Sequence, residues 1–135
     1  MEKHQASVLI ADDEAHIRSL LNLIFTNLGA EVVGEASDGE EALSLYQQHQ
    51  PDIVVLDINM PKLDGIHVLK QIMHINPKAL VIMLTSLNAM SVVKECIDYG
   101  ARNYILKNTT AAELHQAISE TWTEYMAEIN ASVSS

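Results

Sequence analysis

The run Val8-Leu9-Ile10-Ala11-Asp12-Asp13 decides how this chain is read. A continuous apolar stretch stops abruptly at two acids. A strand with one wet face alternates apolar and polar residues. A strand covered on both faces does not, so an unbroken run of this length predicts a buried strand of a parallel sheet. The same pattern returns three times. Ile53 to Leu56 stops at Asp57, Leu80 to Leu84 stops at Thr85-Ser86, and the short Tyr104 to Leu106 stops at Lys107. Glu31 to Ala36 reads as a weaker strand.

The segments between these runs change period. Ile17, Leu20, Leu21, Ile24 and Leu28 recur at spacings of three and four, which places them on one helical stripe from Glu14 to Leu28. Asp13 is the expected cap of that helix and Gly29 its stop. Ser37 with Glu40, or Asp38 with Glu41, makes a capping box for a second helix to about His49. A third runs from Gly65 to Ile75, before Asn76-Pro77. A fourth runs from about Asn88 to Tyr99, before Gly100. Thr110 with Glu113 opens a last helix to about Ile129, and residues 131–135 are expected to fray. Five strands alternating with five helices predict an α/β doubly wound parallel sheet with helices on both faces. The pattern itself leaves the strand order open.

Size and composition agree with one such domain. The chain has 135 residues, 48% of them hydrophobic, enough for a single core. Eight Lys and Arg against 18 Asp and Glu give a formal net charge of −10. That balance argues against tracking nucleic-acid phosphates or adhering to anionic membranes. Cys96 is the single cysteine, so no internal disulfide or multi-thiolate metal site can form. A reducing, cytoplasmic setting is expected. No apolar run approaches the roughly 20 residues of a membrane span.

Sites in open parallel sheets form at the carboxyl ends of the strands. Here those ends carry Asp12, Asp13, Asp57, Thr85, Ser86 and Lys107. Three clustered carboxylates repel one another, and one ammonium compensates for only one. A hard divalent cation such as Mg²⁺ would relieve the rest, because it favours carboxylates, water and phosphate oxygens. A carboxylate can also attack phosphorus to form an aspartyl phosphate. Asp57, between the other donors in sequence order, is the expected nucleophile, with Asp12 and Asp13 as the metal pair. Lys107 and the Thr85 hydroxyl would hold the other phosphoryl oxygens.

These stretches resemble the receiver domain of two-component response regulators. The matching residues are Leu9 to Glu14, Asp57-Ile58-Asn59-Met60-Pro61-Lys62-Leu63-Asp64-Gly65, Leu84-Thr85-Ser86, and Gly100 to Lys107. The resemblance implies a flavodoxin-like sheet in the order 2-1-3-4-5, with the receiver spanning 7–129 between tails at 1–6 and 130–135. It implies phosphoryl transfer to Asp57 from a sensor histidine kinase or a phosphotransfer protein. Mg²⁺ would be held by Asp13, Asp57 and the Asn59 carbonyl, with Asp12 acting through water. Thr85 would then move inward and Tyr104 rotate behind it. Output would pass to a downstream protein, or to an output domain outside this chain, with no nucleic acid bound directly. The chain would be a phosphoacceptor switch, not an enzyme with turnover.

Departures from the family pattern carry their own expectations. Asn108 follows Lys107 where receivers usually have proline, so a trans peptide bond is expected there. Asn59 and Leu87 are neither acid nor base, so slow to moderate autodephosphorylation is expected. Cys96 and the methionines read as packing residues, and the histidines as solvated. Leu114, Ile118, Trp122, Tyr125 and Ile129 form the packing face of the last helix, whose outer end could serve a homodimer. Two rival classes are an aspartate-nucleophile phosphatase and a pseudo-receiver that binds partners without phosphorylation. The phosphatase would want an acid where Asn59 stands, and the pseudo-receiver would not need the full acidic set.

Overall fold

A computed structural model describes residues 5–134, with side chains to Ala131. Its strands are β1 (Ser7–Ala11), β2 (Glu31–Ala36), β3 (Ile53–Leu56), β4 (Leu80–Thr85) and β5 (Asn103–Leu106). Its helices are α1 (Ala15–Asn27), α2 (Gly39–His49), α3 (Gly65–Ile75), α4 (Met90–Asp98) and α5 (Ala111–Ser134). All strand pairs are parallel, in the order β2-β1-β3-β4-β5.

The apolar runs are unbroken because successive side chains enter two different cores. Leu9, Val54, Leu56, Val81 and Met83 point toward one face, where Tyr46, Val68, Leu69 and Ile72 cover them. Val8, Ile10, Val55, Ile82 and Leu84 point toward the other, under Leu21, Phe25, Leu114 and Ile118. The first face carries α2, α3 and α4, and the second carries α1 and α5. The edge strand β2 is only partly buried, which explains its weaker pattern.

Four expectations need correction. Asp13 does not cap α1: the cap position is Glu14, without a side-chain bond, and Asp12 Oδ1 instead accepts the Glu14 N–H at 2.8 Å. Helix α4 starts at Met90, later than Asn88, behind a cap residue, Ala89, that has no side-chain acceptor. Helix α5 continues past Ile129 to Ser134, so residues 131–134 are helical, and of the expected tail Ser135 alone lies outside the described residues. No Gly or Pro interrupts that segment. Ala6 of the expected tail is buried, and its carbonyl accepts the Glu31 N–H at 2.9 Å; Met1–His4 lie outside the described residues. Of the two capping boxes, Asp38 is the cap and accepts the Glu41 N–H, while the Glu41 carboxylate reaches back to the Ser37 N–H.

Helix α5 is fastened at the amino edge of the sheet. Arg102, just before β5, pairs with Glu124 and Glu128, and Asn103 donates to Thr121 Oγ1 at 3.2 Å. Tyr125 bonds Asp52, which also accepts the Ser7 N–H at 2.8 Å. Burial first, and then the Asp52 charge and hydrogen bond, push the Tyr125 phenol up to about 12. The unfolded phenol ionises near its ordinary value of about 10. Its contribution to stability is therefore full below that pH and lost as pH rises through 12. Unfolding midpoints across this range are expected to fall less steeply in Tyr125→Phe. Equal slopes in both chains would contradict the assignment.

Candidate functional site

Three backbone bonds extend the ladder past the strand ends and carry the polar residues with it. Asp12 N–H donates to Ala36 O, Asp57 N–H to Ala11 O and Lys107 N–H to Thr85 O, each at 2.9 Å. The side chains that follow therefore stand on rigid backbone at one edge of the sheet.

Asp12 and Asp57 are buried there, at 1% and 3% exposure, and Asp13 is exposed beside them. One carboxylate oxygen from each lies within 4.8 Å of the others. The Lys107 ammonium faces the acids. It donates to Asp57 Oδ2 at 2.9 Å, Asp12 Oδ1 at 3.1 Å and Glu14 Oε2 at 2.6 Å. Asp57 Oδ1 accepts the Ile58 N–H at 2.7 Å. Asp12 Oδ2 is buried and lies 2.9 Å from the ammonium, but without the geometry of a hydrogen bond. An acceptor in that position can take a cation that brings its own coordination sphere.

The charges leave their mark on the titrations. Burial raises the Asp12 pKa, against the lowering effect of the Glu14 N–H and Lys107. Burial alone would lower that of Lys107, but its hydrogen bonds to Glu14, Asp57 and Asp12 outweigh it and the net shift is upward. Glu14 is lowered by its bond to Lys107. The ammonium is thus held firmly protonated among more negative charge than it can neutralise. The set suits a hard, oxygen-liganded divalent cation.

Thr85 ends β4 fully buried, and its Oγ1 accepts a long 3.4 Å bond from the Leu87 N–H. Tyr104 is half-buried, and its hydroxyl donates to Leu87 O at 2.7 Å. Burial, then the neighbouring Cys96 and Asp57, raise its phenol pKa. Leu87 thus joins the predicted hydroxyl to the predicted aromatic. Asn59 is exposed in the loop after β3. No cis peptide bond occurs among the described residues, so Asn108 follows Lys107 through a trans bond. Cys96 is fully buried, and the five described histidines are exposed.

Sequence reasoning passed over Glu14 and Arg18. Glu14 makes the shortest of the three Lys107 bonds, and Arg18 donates to the Asp12 carbonyl at 2.7 Å. The signal was present: three acids follow one strand, with a single cation ending another. A cleft of about 520 Å³, lined by Met73, Lys78, Arg102 and Tyr125 among others, includes none of these acids. No described helix is long and apolar enough to cross a membrane.

Residues 8–119 match the family model of the response regulator receiver domain. The chemotaxis protein CheY of Thermotoga maritima is 40% identical over 113 residues, which cover 84% of this chain and 94% of that protein. CheY of Bacillus subtilis is 40% identical over 114 residues, 84% of this chain and 95% of that one. A chain of the CheX–CheY–BeF3–Mg complex of Borrelia burgdorferi superposes with a TM-score of 0.81 at 39% identity, covering 87% of this chain and 89% of that chain. Strand order, the acids facing Lys107 and these relatives converge: the chain belongs to the response regulator receiver domains of two-component signalling.

Proposed function

We propose that Asp57 is the phosphoacceptor, that Asp12 and Asp13 hold Mg²⁺ beside it, and that the chain is a self-catalysed switch. The carrying observation is the convergence of three carboxylates within 4.8 Å, with Lys107 at 2.9 Å from Asp57. A carboxylate oxygen of Asp57 attacks the phosphorus of a phosphohistidine on a sensor kinase or phosphotransfer protein. The P–N bond breaks, its electron pair stays on the imidazole nitrogen, and a P–O bond forms. Water later attacks the phosphorus, releasing inorganic phosphate and restoring the carboxylate. When bound, Mg²⁺ supplies positive charge against the carboxylates and the phosphoryl oxygens. Lys107 holds one phosphoryl oxygen and Thr85 Oγ offers a donor to another.

The output follows from Leu87. Once Thr85 turns its hydroxyl to the phosphoryl group, its bond to the Leu87 N–H is lost. The loop then releases the Leu87 carbonyl from Tyr104, and the ring turns inward. Such a change is a population shift between two packings, and it alters the surface of α4 and β5 offered to a downstream protein.

Incubation with acetyl phosphate and Mg²⁺ is expected to add one phosphoryl mass to the intact chain. Excess EDTA, or Asp57→Asn, is expected to prevent the gain. A gain of equal size in Asp57→Asn would overturn the reading.

A further inference from the structure

Lys107 has three N–H donors, and here each has a carboxylate partner. The partners are not equivalent. Asp12 and Asp57 are buried at strand ends, and neither can turn away to water. The Glu14 side chain is 45% exposed and reaches the ammonium from the mouth of the site. Its backbone is fixed, because its N–H is held by Asp12, so only the side chain has to move. An exposed ion pair is worth little and is easily replaced by water, whereas breaking a buried one is strongly unfavourable.

We propose that Glu14 is a positioning residue for phosphotransfer: it holds the Lys107 ammonium in the unphosphorylated chain and yields it to the incoming phosphoryl group. The proposal rests on Asp57 being the phosphoacceptor. A phosphoryl oxygen arriving at Asp57 needs a donor from Lys107, and the Glu14 bond is the one that can be exchanged without stranding a buried charge. While it persists, Glu14 keeps part of the ammonium turned away from Asp57 and adds negative charge in the path of an anionic donor. Glu14 thereby restrains unprompted phosphorylation by small donors.

Two substitutions separate contact from charge. Glu14→Gln removes the charge, while Glu14→Asp keeps it on a side chain one methylene too short for the direct bond. The position is exposed and both variants are expected to fold as the parent does. With phosphoramidate and saturating Mg²⁺, both are expected to be phosphorylated faster, by about fivefold. Without donor or metal, the Lys107 side-chain resonances are expected to shift in both. Acceleration in Glu14→Gln alone would reduce Glu14 to a diffuse charge and overturn the positioning role. Parent-like rates and resonances in both variants would overturn it as well. A parent chain that takes up no phosphoryl group would instead overturn the Asp57 reading, and this proposal with it.

Discussion

Gly65→Ala is expected to lose about 3 kcal/mol or more of stability, and to impair phosphorylation of whatever still folds. A Cβ at Gly65 would stand 1.9 Å from the Asp57 carbonyl oxygen and 2.8 Å from Ile58 Cα. Both obstacles are backbone, so no rotamer change relieves them. The close approach arises because α3 starts directly beneath the end of β3: the Gly65 N–H donates to Ile58 O at 2.8 Å, and Asp64 caps the helix by accepting the His67 N–H. Making room means moving either the first turn of α3 or the peptide that carries Asp57. The gain in helix propensity from alanine, about 1 kcal/mol, is too small to compensate. Gly29→Ala is the useful comparison. Gly29 has φ +90° but nothing within 4 Å of an added Cβ, so its cost is about 1–2 kcal/mol of backbone strain. Urea unfolding followed by Trp122 fluorescence measures both. Equal losses at the two positions would contradict the account of the close approach.

Lys107→Met is expected to destabilise the chain by about 3 kcal/mol in chelator, and Mg²⁺ is expected to recover most of that loss. Methionine keeps the apolar stem but removes the one cation that, among the described residues, bonds the Asp12 and Asp57 carboxylates. Asp12 and Asp57 would then face each other with Asp13 alongside, in a site where Asp12 Oδ2 already lacks a hydrogen bond. The sign with pH also follows. Burial raises the Asp12 pKa in the folded chain, so the folded state binds a proton there more readily than the unfolded state. Its protonation relieves the repulsion, so the deficit shrinks as pH falls toward the ordinary value of 3.8. Thermal unfolding in EDTA and in Mg²⁺, at two pH values, reads all three effects. A variant as stable as the parent in EDTA would show that Lys107 does not hold the acids together.

What could be read from sequence was what burial imposes on a strand. β1, β3 and β4 lie between two helical layers, so their residues are apolar without alternation, and the first polar residue marks the sheet edge. Asp12, Asp57, Thr85 and Lys107 were visible for that reason. Strand order was not, since each crossover could return on either side; it came from the family resemblance. Helix ends were less legible, because several side chains near an end can cap it. Asp13 and Asp12 are chemically equal candidates, and only the backbone turn gives the Glu14 N–H to Asp12. The end of α5 was missed because the apolar stripe stops at Ile129, while the following Asn130 and Ala131 tolerate helix without marking it. Glu14 was missed because its partner is 93 residues away and only the folded sheet brings them together.

The central claim concerns one carboxylate. Borohydride reduces an aspartyl phosphate to homoserine and leaves free carboxylates intact, so it records which acid carried the phosphoryl group. After phosphorylation by acetyl phosphate with Mg²⁺, reduction and peptide mass spectrometry are expected to find homoserine at position 57 and at no other aspartate. Homoserine at position 12 or 13, or none in a chain that has demonstrably gained phosphoryl mass, would contradict the account.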